Sequence, residues 1–319
     1  MVDTNNLGYG RACPLKEPDD AATVILLREM PGTPWELFLL RRHAKQNFMG
    51  GAHVFPGGRL EEADMDPAII PNIFPGDLAE NLLLREEGLS PDLARGLFVA
   101  AIRETFEEAG IFLGCGPTGE PLPSAEGSLG ERLSTCRHDL HKGKITILEL
   151  LRRENIRLDF RLLAPYSHWI TPAIETRRFD TRFFLARIPP GQQPLHDSRE
   201  LTASAWFSPE AALVGQDRGE ITLMPPTLKT LEELSHFPSI SELFLAASHK
   251  EIPVIMPEII ADGDLLGIIL PHDREYRNPV YRQAPRPGEC SRVMLVGDRW
   301  QRQDNFVPLC LCPSEPDSI

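Results

Sequence analysis

Apolar runs near the start of the chain predict a β-hairpin followed by a short strand. Residues 22–27 and 35–40 are two such runs, each of strand length. The segment 30–34 between them contains two prolines and a glycine, which favour a tight connection, so we expect the two strands to pair. A third strand is predicted at 53–55, and it ends where Pro56 is followed by a pair of glycines.

Helical spacing of apolar residues between 97 and 109 predicts the first long helix, and Gly110 supplies its C-terminal stop. The preceding segment, 65–93, carries repeated Pro, Gly and Asp residues, and we expect an irregular excursion with one short helix there. The polar stretch 114–130 is expected to be a loop, after which helical spacing returns at 147–151.

Strand and helix signals follow one another in the next part of the chain. Ser208 followed by Pro209 is a helix-start signature. Pro225 is expected to open a further helix that runs through Leu234 and on toward Ala247. The strands predicted upstream of Ser208 are at 167–170, 179–186 and 201–207.

These patterns divide the chain into an N-terminal arm (1–20), a main α/β domain (21–249) and an extension (250–319). The extension has apolar runs at 268–270 and 293–296 that alternate with turn residues. This alternation predicts a small β-rich unit.

Composition is that of an ordinary globular protein, but the chain is acidic: 42% of residues are hydrophobic, 25% are charged and the formal net charge is −13. Because nucleic acids are bound through basic surface, we expect no nucleic-acid partner. The sequence shows no apolar run of about 20 residues, no signal-peptide pattern and no C-terminal peroxisomal signal. We therefore expect no membrane association and a cytoplasmic location, which the six scattered cysteines also fit.

Three glutamates on the first long helix are the strongest chemical signal. Glu104, Glu107 and Glu108 are spaced so that they share one helical face. Their mutual repulsion costs about 0.2–0.5 kcal/mol per pair, and Mg²⁺, which prefers oxygen ligands, would offset it. The alternative is a solvated acidic face, which is commoner among helices in general. The glycine pair 57–58 favours the metal site because it allows close backbone approach, and Arg103 is placed to orient the carboxylates.

Residues 103–111 resemble the second half of the Nudix box, G-x5-E-x7-R-E-U-x-E-E-x-G-U with U aliphatic, and depart from it only at Thr105. Gly58 is similar to the leading glycine, and Asp64 stands where the pattern has its first glutamate. Between Asp64 and the second half lie 38 residues, 65–102, where the simple pattern has 7. The box is therefore split by an insertion.

One branch of the Nudix family, the acyl-coenzyme A diphosphatases, has a similar interruption. Segments 48–58, 169–172 and 178–184 also resemble that branch. The resemblance covers residues 20–250 and implies a Nudix-type α/β/α sandwich with a central mixed sheet and an insertion within the box, to which the pattern after Lys250 adds the small β-rich C-terminal extension. The main domain, 21–249, is thus expected to be a Nudix hydrolase domain.

The resemblance also implies a Mg²⁺ or Mn²⁺ centre and the residues around it. Arg103 would orient the glutamates, and Asp64 takes the place of a family glutamate of secondary importance. A catalytic base outside the box is common in the family, and the candidate is Glu200, which leads into the strand 201–207. The implied metal ligands are Glu104 and Glu108, with Glu107 assisting, and the carbonyl oxygen of Gly57.

Candidate substrate-binding residues lie before the box and on a downstream strand. Coenzyme A diphosphatases carry the pattern L-L-T-x-R-[SA]-x3-R-x3-G-x3-F-P-G-G, in which Arg42 and Gly51 match, while His43 and Asn47 depart from it. A 3′-phosphate and a diphosphate need fixed Arg or Lys donors, although any single cation could instead be a solvated surface charge. His53, at a strand end, is expected to be structural. The candidates are Arg41, Arg42, Lys45, Gly58 and Arg178, with Arg177 and Arg182 nearby.

Three functions remain open. The first is hydrolysis of the diphosphate linkage of coenzyme A or acyl-coenzyme A to 3′,5′-ADP and 4′-phosphopantetheine or its acyl form. The second keeps the reaction and changes the substrate to ADP-ribose, NADH or another nucleoside diphosphate derivative. The third is a non-catalytic Nudix-fold ligand sensor, against which the three intact glutamates argue. A small nucleotide is the expected partner in each case, and a homodimer is left open.

Overall fold

The structure is a computed structural model. It describes residues 17–303 apart from 32–34, 44–49, 76–83, 85, 87, 123–126, 195–200, 263–264 and 287. The strands are β1 (Asp19–Arg28), β2 (Glu36–Arg42), β3 (His53–Val54), β4 (Gly57–Arg59), β5 (Gly114–Cys115), β6 (Arg157–Leu158), β7 (Ala164–Ile170), β8 (Phe179–Arg187), β9 (Leu201–Phe207), β10 (Val254–Ile255), β11 (Glu258–Asp262), β12 (Leu265–Ile269), β13 (Arg292–Val296) and β14 (Arg299–Gln303). The α-helices are α1 (Pro91–Ala109), α2 (Ser128–His141), α3 (Ile147–Glu154), α4 (Pro209–Arg218), α5 (Pro225–Leu234) and α6 (Ile240–His249), and short 3₁₀ helices lie at Glu62–Met65, Pro67–Asn72 and Phe160–Leu162.

Within the described residues, β1 lies at the centre of a mixed eight-stranded sheet. The strand order is β10-β7-β8-β1-β2-β3, with β4 paired to β1 and β9 paired to β2. β1 and β8 run parallel, from Asp19 opposite Phe179 to Leu27 opposite Arg187. β1 and β2 are antiparallel, with Leu27 opposite Leu37, so the hairpin expected from the two apolar runs is confirmed.

Helices cover both faces of this sheet, and the expected α/β/α sandwich is confirmed. Because successive strand residues point to opposite faces, the side chains of β1 divide between two cores. Val24 and Leu26 pack with α1 on one face. Ile25 and Leu27 pack with α5 and α6 on the other face.

Helix α1 begins at Pro91, six residues before the expected start. The Ser90 hydroxyl caps it by accepting a hydrogen bond from the Leu93 N–H at 3.2 Å, and proline occupies the first turn. The helix ends, as expected, at Gly110, whose φ of 72° lies in the left-handed region. The early start was missed because its first turn falls in a segment whose Pro, Gly and Asp residues favour turns.

Two further helical expectations were wrong. Residues 128–130 were expected to be loop, but they begin α2, whose buried residues are Cys136 and Leu140. Such a polar helix shows little of the apolar periodicity that signals a helix. The single helix expected from Pro225 toward Ala247 is two helices, because Pro238 follows α5 and Ser239 caps α6.

The residues after Lys250 extend the same fold. β10 adds to the central sheet parallel to β7, and β11 to β14 form a separate antiparallel sheet. Ile268 and Val293, from the two apolar runs expected to be strands, lie in the core that contains α5 and α6. Arg292, the first residue of β13, forms a buried ion pair with Asp273 at 2.8 Å. No helix in the described parts of the chain combines the length and apolarity needed to cross a membrane.

Candidate active site

β4 presents two glycines to α1 and β1. A Cβ added at Gly57 would lie 2.6 Å from Thr23 Oγ1 and 2.5 Å from the carbonyl oxygen of Ala22. A Cβ added at Gly58 would overlap the carboxylate of Glu104. The expected close approach of the strand to the glutamates therefore depends on the absence of side chains at both positions.

The backbone of Gly57 is directed at Glu108. Its N–H donates a hydrogen bond to Glu108 Oε2 at 2.9 Å. The preceding residue makes the ladder bond to β1, with the Val24 N–H donating to the Pro56 carbonyl at 2.8 Å. In an antiparallel ladder the next residue then points its N–H and its C=O away from the neighbouring strand. The Gly57 carbonyl consequently faces the same side as its N–H, toward α1.

Arg103 lies buried among the glutamates and has an acceptor for each of its five N–H groups. Nε and Nη2 donate to the two carboxylate oxygens of Asp64, both at 2.9 Å. Nη1 donates to Glu104 at 2.8 Å and to Glu107 at 3.2 Å, and Nη2 also donates to the carbonyl of Arg59 at 2.8 Å. These bonds fix two glutamates and tie α1 to β4.

Asp64 connects the two halves of the interrupted box. Its carboxylate is fully buried, and besides Arg103 it accepts a hydrogen bond from the Glu61 N–H at 2.9 Å. The two halves of the box, separated by 38 residues in sequence, are thus in direct contact. Thr105, which replaces an aliphatic residue of the pattern, is also fully buried, and its hydroxyl has no hydrogen-bond partner among the described residues.

Burial disfavours the charged form of the carboxylates around Arg103. Burial raises the pKa of Glu104 to about 7; the charge of Arg103 opposes this increase and that of Glu107 adds to it. Burial also raises the pKa of Glu107 and of Asp64, again against the effect of Arg103. For Arg103, burial alone would lower the pKa, but the hydrogen bonds to Asp64 and the surrounding negative charges raise it. One guanidinium does not neutralise this set, so a further cation would be stabilised here.

The oxygen donors fit a divalent cation. Mg²⁺ is typically held by one or two carboxylates, and waters and substrate phosphates complete its shell. Glu104, Glu108 and the Gly57 carbonyl would provide such a set. In the described part of the chain no three His, Cys, Asp or Glu side chains converge on one coordination point. Glu107 instead turns toward Arg103 and toward His141, whose Nδ1 lies 3.6 Å from Glu107 Oε2.

Strand alternation separates two of the expected substrate-binding cations. Leu40 belongs to the core on the α1 face of β2, whereas Leu39 belongs to the opposite core. Arg42 therefore follows Leu40 onto the α1 face, and Arg41 points to the other face. Arg41 pairs there with His53, whose pKa is lowered by burial and by the charge of Arg41. The roles of Arg41 and Arg42 as substrate contacts stay predictions, and alternation favours Arg42.

The other expected site residues lie in different places. Arg178 is buried at the turn between β7 and β8, where its Nε donates to a backbone carbonyl at 3.2 Å. Arg182 binds Glu86 of the inserted segment, with Nη2 2.9 Å from Oε1. Lys45 and Glu200 lie outside the described residues.

Two residues at the site were not foreseen from the sequence. Arg137 of α2 donates from Nε to the Glu107 carbonyl at 2.9 Å and from Nη2 to the Glu108 carbonyl at 3.0 Å. His141 follows one turn later on the same helix. Neither residue belongs to a recognisable motif, and α2 itself was not predicted, so no sequence signal pointed to them.

The glutamate helix, the glycine pair on the adjoining strand and the α/β/α sandwich together define a Nudix hydrolase. A solved Nudix hydrolase from Alicyclobacillus acidocaldarius has the same fold, with a TM-score of 0.57 and 26% identity over 73% of this chain and 97% of that one. The family profile described as the NUDT19 Nudix domain matches residues 84–234.

Relatives that match over most of their length identify the family within the Nudix hydrolases. The acyl-coenzyme A diphosphatase NUDT19 of Homo sapiens is 31% identical over 282 residues, which cover 78% of this chain and 74% of that protein. The protein of the same name from Xenopus laevis is 29% identical over 313 residues, which cover 88% and 82%. The chain belongs to the NUDT19 family of Nudix hydrolases.

Proposed function

We propose that the chain hydrolyses the diphosphate linkage of coenzyme A or acyl-coenzyme A, releasing 3′,5′-ADP and 4′-phosphopantetheine or its acyl form. The observation that carries this proposal is the intact set of carboxylates on α1, organised by Arg103 against the glycines of β4. A ligand sensor has no need of such a set. Coenzyme A as substrate is supported by the names of the relatives and by the partial coenzyme A pattern at Arg42 and Gly51.

A divalent cation, Mg²⁺ or Mn²⁺, would be held by Glu104, Glu108 and the carbonyl of Gly57. When bound, such an ion lowers the pKa of water and offsets the charge of the phosphates. The protein's own contribution is orientation. Arg103 fixes the direction of the Glu104 carboxylate, and the Gly57 N–H fixes that of Glu108. Glu200, which precedes Leu201 in the sequence, is proposed as the base that accepts the proton of the attacking water.

Recognition of the anionic substrate requires cations outside this cluster. Arg42 is the foremost candidate because it lies on the α1 face of β2 and its fork of N–H groups matches a phosphate. Its backbone is fixed by pairing with the 51–52 turn, in which Gly51 adopts a φ of 80° that favours glycine. Lys45, Gly58 and Arg178 are proposed as further substrate contacts.

The test of the reaction is the Glu108→Gln substitution. The glutamine oxygen can still accept the Gly57 N–H, so the fold is retained while the charge is lost. We expect turnover to fall below detection, with an unchanged unfolding temperature. Glu210→Gln makes the same chemical change on the exposed side of α4 and should have no effect on turnover. Turnover by Glu108→Gln at the wild-type rate would refute the mechanism.

Substrate choice needs a separate measurement because His43 and Asn47 depart from the coenzyme A pattern. Rates with coenzyme A, an acyl-coenzyme A, ADP-ribose and NADH should be compared at equal enzyme, Mg²⁺ and substrate concentrations. We expect the highest kcat/KM with coenzyme A or its acyl form. A higher value with ADP-ribose would assign the chain to the second substrate class and leave the reaction unchanged.

A further inference from the structure

The C-terminal end of α1 is a weak point in the site. Glu108 is the second-to-last residue of the helix, and helix ends fray. The last turn contains Glu107 and Glu108 and no basic residue, so its charges oppose the helix dipole. The last carbonyls of a helix also have no partners within it. A proposed metal ligand at this position therefore needs support from outside α1.

Arg137 of α2 supplies that support. Its guanidinium donates hydrogen bonds to the carbonyls of both Glu107 and Glu108, at 2.9 and 3.0 Å. The same group places a positive charge at the negative end of the helix dipole. Arg137 thus satisfies two carbonyls of the last turn and fixes the backbone that carries the Glu108 carboxylate.

Helix α2 is itself firmly placed. Cys136, next to Arg137, is fully buried, and Leu140 lies in the core that contains α1. Arg132, one turn earlier, binds the buried carboxylate of Glu154 at the end of α3 at 2.7 Å. The guanidinium of Arg137 therefore reaches α1 from a fixed support.

We propose that Arg137 is a positioning residue that sets the affinity of the site for a divalent cation by fixing the last turn of α1. This inference rests on the metal site of the proposed function. Arg137 acts on backbone carbonyls, so its effect on the ion passes through the orientation of Glu108. Loss of residues that orient metal ligands typically weakens metal binding 10–100-fold.

The experiment is a Mn²⁺ titration followed by electron paramagnetic resonance, without substrate, on the full chain. We expect Arg137→Ala to bind Mn²⁺ about 10–100-fold more weakly than wild type. Arg137→Lys should fall between the two, because lysine keeps the charge but cannot bridge two carbonyls with a planar fork. Arg152→Ala removes the same charge from an exposed position on the neighbouring helix α3 and should retain wild-type affinity. Unfolding of the metal-free proteins by urea shows whether each variant is folded.

Kinetics give a second readout. Because Arg137 contacts the backbone of α1, its replacement should lower kcat at saturating Mn²⁺ while the KM for coenzyme A changes less. A merely structural contact would lower stability and leave both the Mn²⁺ affinity and kcat of the folded fraction unchanged.

The outcomes separate the two proposals. Wild-type Mn²⁺ affinity in Arg137→Ala, or equal losses in Arg137→Ala and Arg152→Ala, would overturn the positioning role alone. Failure of the wild-type chain to bind Mn²⁺ would overturn the metal site on which both proposals stand. If Arg137→Ala does not fold, Arg137→Lys decides: weaker Mn²⁺ binding at unchanged stability supports the role, and unchanged binding refutes it.

Discussion

Replacing Glu104 with glutamine should stabilise the metal-free protein while abolishing its activity. The Glu104 carboxylate lies against Gly58 and is hydrogen-bonded to Arg103, and burial raises its pKa to about 7 from an ordinary value of 4.5. At neutral pH and above, the folded protein must therefore hold a charge that its surroundings disfavour. Glutamine has nearly the same shape, can accept the same hydrogen bond from Arg103 and carries no charge.

The size and sign of the effect follow from the two pKa values. Because the pKa of Glu104 is higher in the folded chain than in the unfolded chain, its contribution to stability is fully present below about pH 4.5. That contribution is lost as the pH rises through about 7. The gap corresponds to a free energy on the order of 3 kcal/mol. Glutamine stays neutral throughout, so the difference in unfolding free energy between the variant and wild type should increase as the pH rises through this range.

Urea unfolding in the presence of a chelator measures the difference. We expect Glu104→Gln to exceed wild type by about 2–3 kcal/mol at about pH 8 and to approach it at about pH 5. Added Mg²⁺ should raise the stability of wild type and leave the variant unchanged, because only the charged carboxylate binds the ion strongly. Glu210→Gln serves as the exposed control. Equal stability of the variant and wild type at about pH 8 in chelator would refute the assigned burial of charge.

Three other substitutions probe the same region. Both carboxylate oxygens of Asp64 accept hydrogen bonds, so Asp64→Asn turns an amide N–H donor toward a donor of Arg103 or toward the Glu61 N–H, and the free energy of unfolding should fall by about 3–5 kcal/mol in urea. Thr105→Val replaces a buried hydroxyl that has no partner among the described residues with a methyl group, and the free energy of unfolding should rise by about 1 kcal/mol. Gly58→Ala pushes the Glu104 carboxylate aside, and kcat should fall on the order of 100-fold in a steady-state assay.

Matched variants sharpen these three measurements. Thr105→Ser keeps the hydroxyl and deletes the methyl group, so it should destabilise where Thr105→Val stabilises. At Gly215 of α4 an added Cβ would come no closer than 3.4 Å to its nearest neighbour, so Gly215→Ala should leave kcat unchanged. A stable Asp64→Asn protein, or an active Gly58→Ala enzyme, would contradict the contacts described for Arg103 and Glu104.

The parts of the fold that were predictable are those with local signals. The apolar runs at 22–27 and 35–40 identified β1 and β2, and Ser208 with Pro209 marked the start of α4, whose cap is observed. The spacing of Glu104 and Glu108 placed both on one face of α1 before their surroundings were known. In each case the relevant interactions lie within a few residues along the chain.

The parts that were not predictable depend on contacts distant in sequence. Arg41 and Arg42 are adjacent cations on a strand, and only the packing of Leu40 with α1 shows which face of β2 is directed toward the glutamates. The buried residues of α2 are Cys136 and Leu140, so the helix has few apolar positions and gives no clear periodic signal. The role of Arg137 could not be predicted either, because it donates hydrogen bonds to backbone carbonyls, and every residue has such a group.

Because Asp64 and Arg103 are in contact, the insertion in the box can be described as a longer loop whose two ends are joined. The entropy of joining the ends of a flexible loop grows only with the logarithm of its length, so extending it from 7 to 38 residues costs about 1.5 kcal/mol. A buried, bidentate ion pair at the ends can offset a cost of that size. The length of the segment between these two residues therefore has only a small effect on the entropy of bringing them together. The motif of such an enzyme is defined by the residues that are in contact in the folded chain. A sequence search that requires an uninterrupted motif would miss an enzyme of this kind.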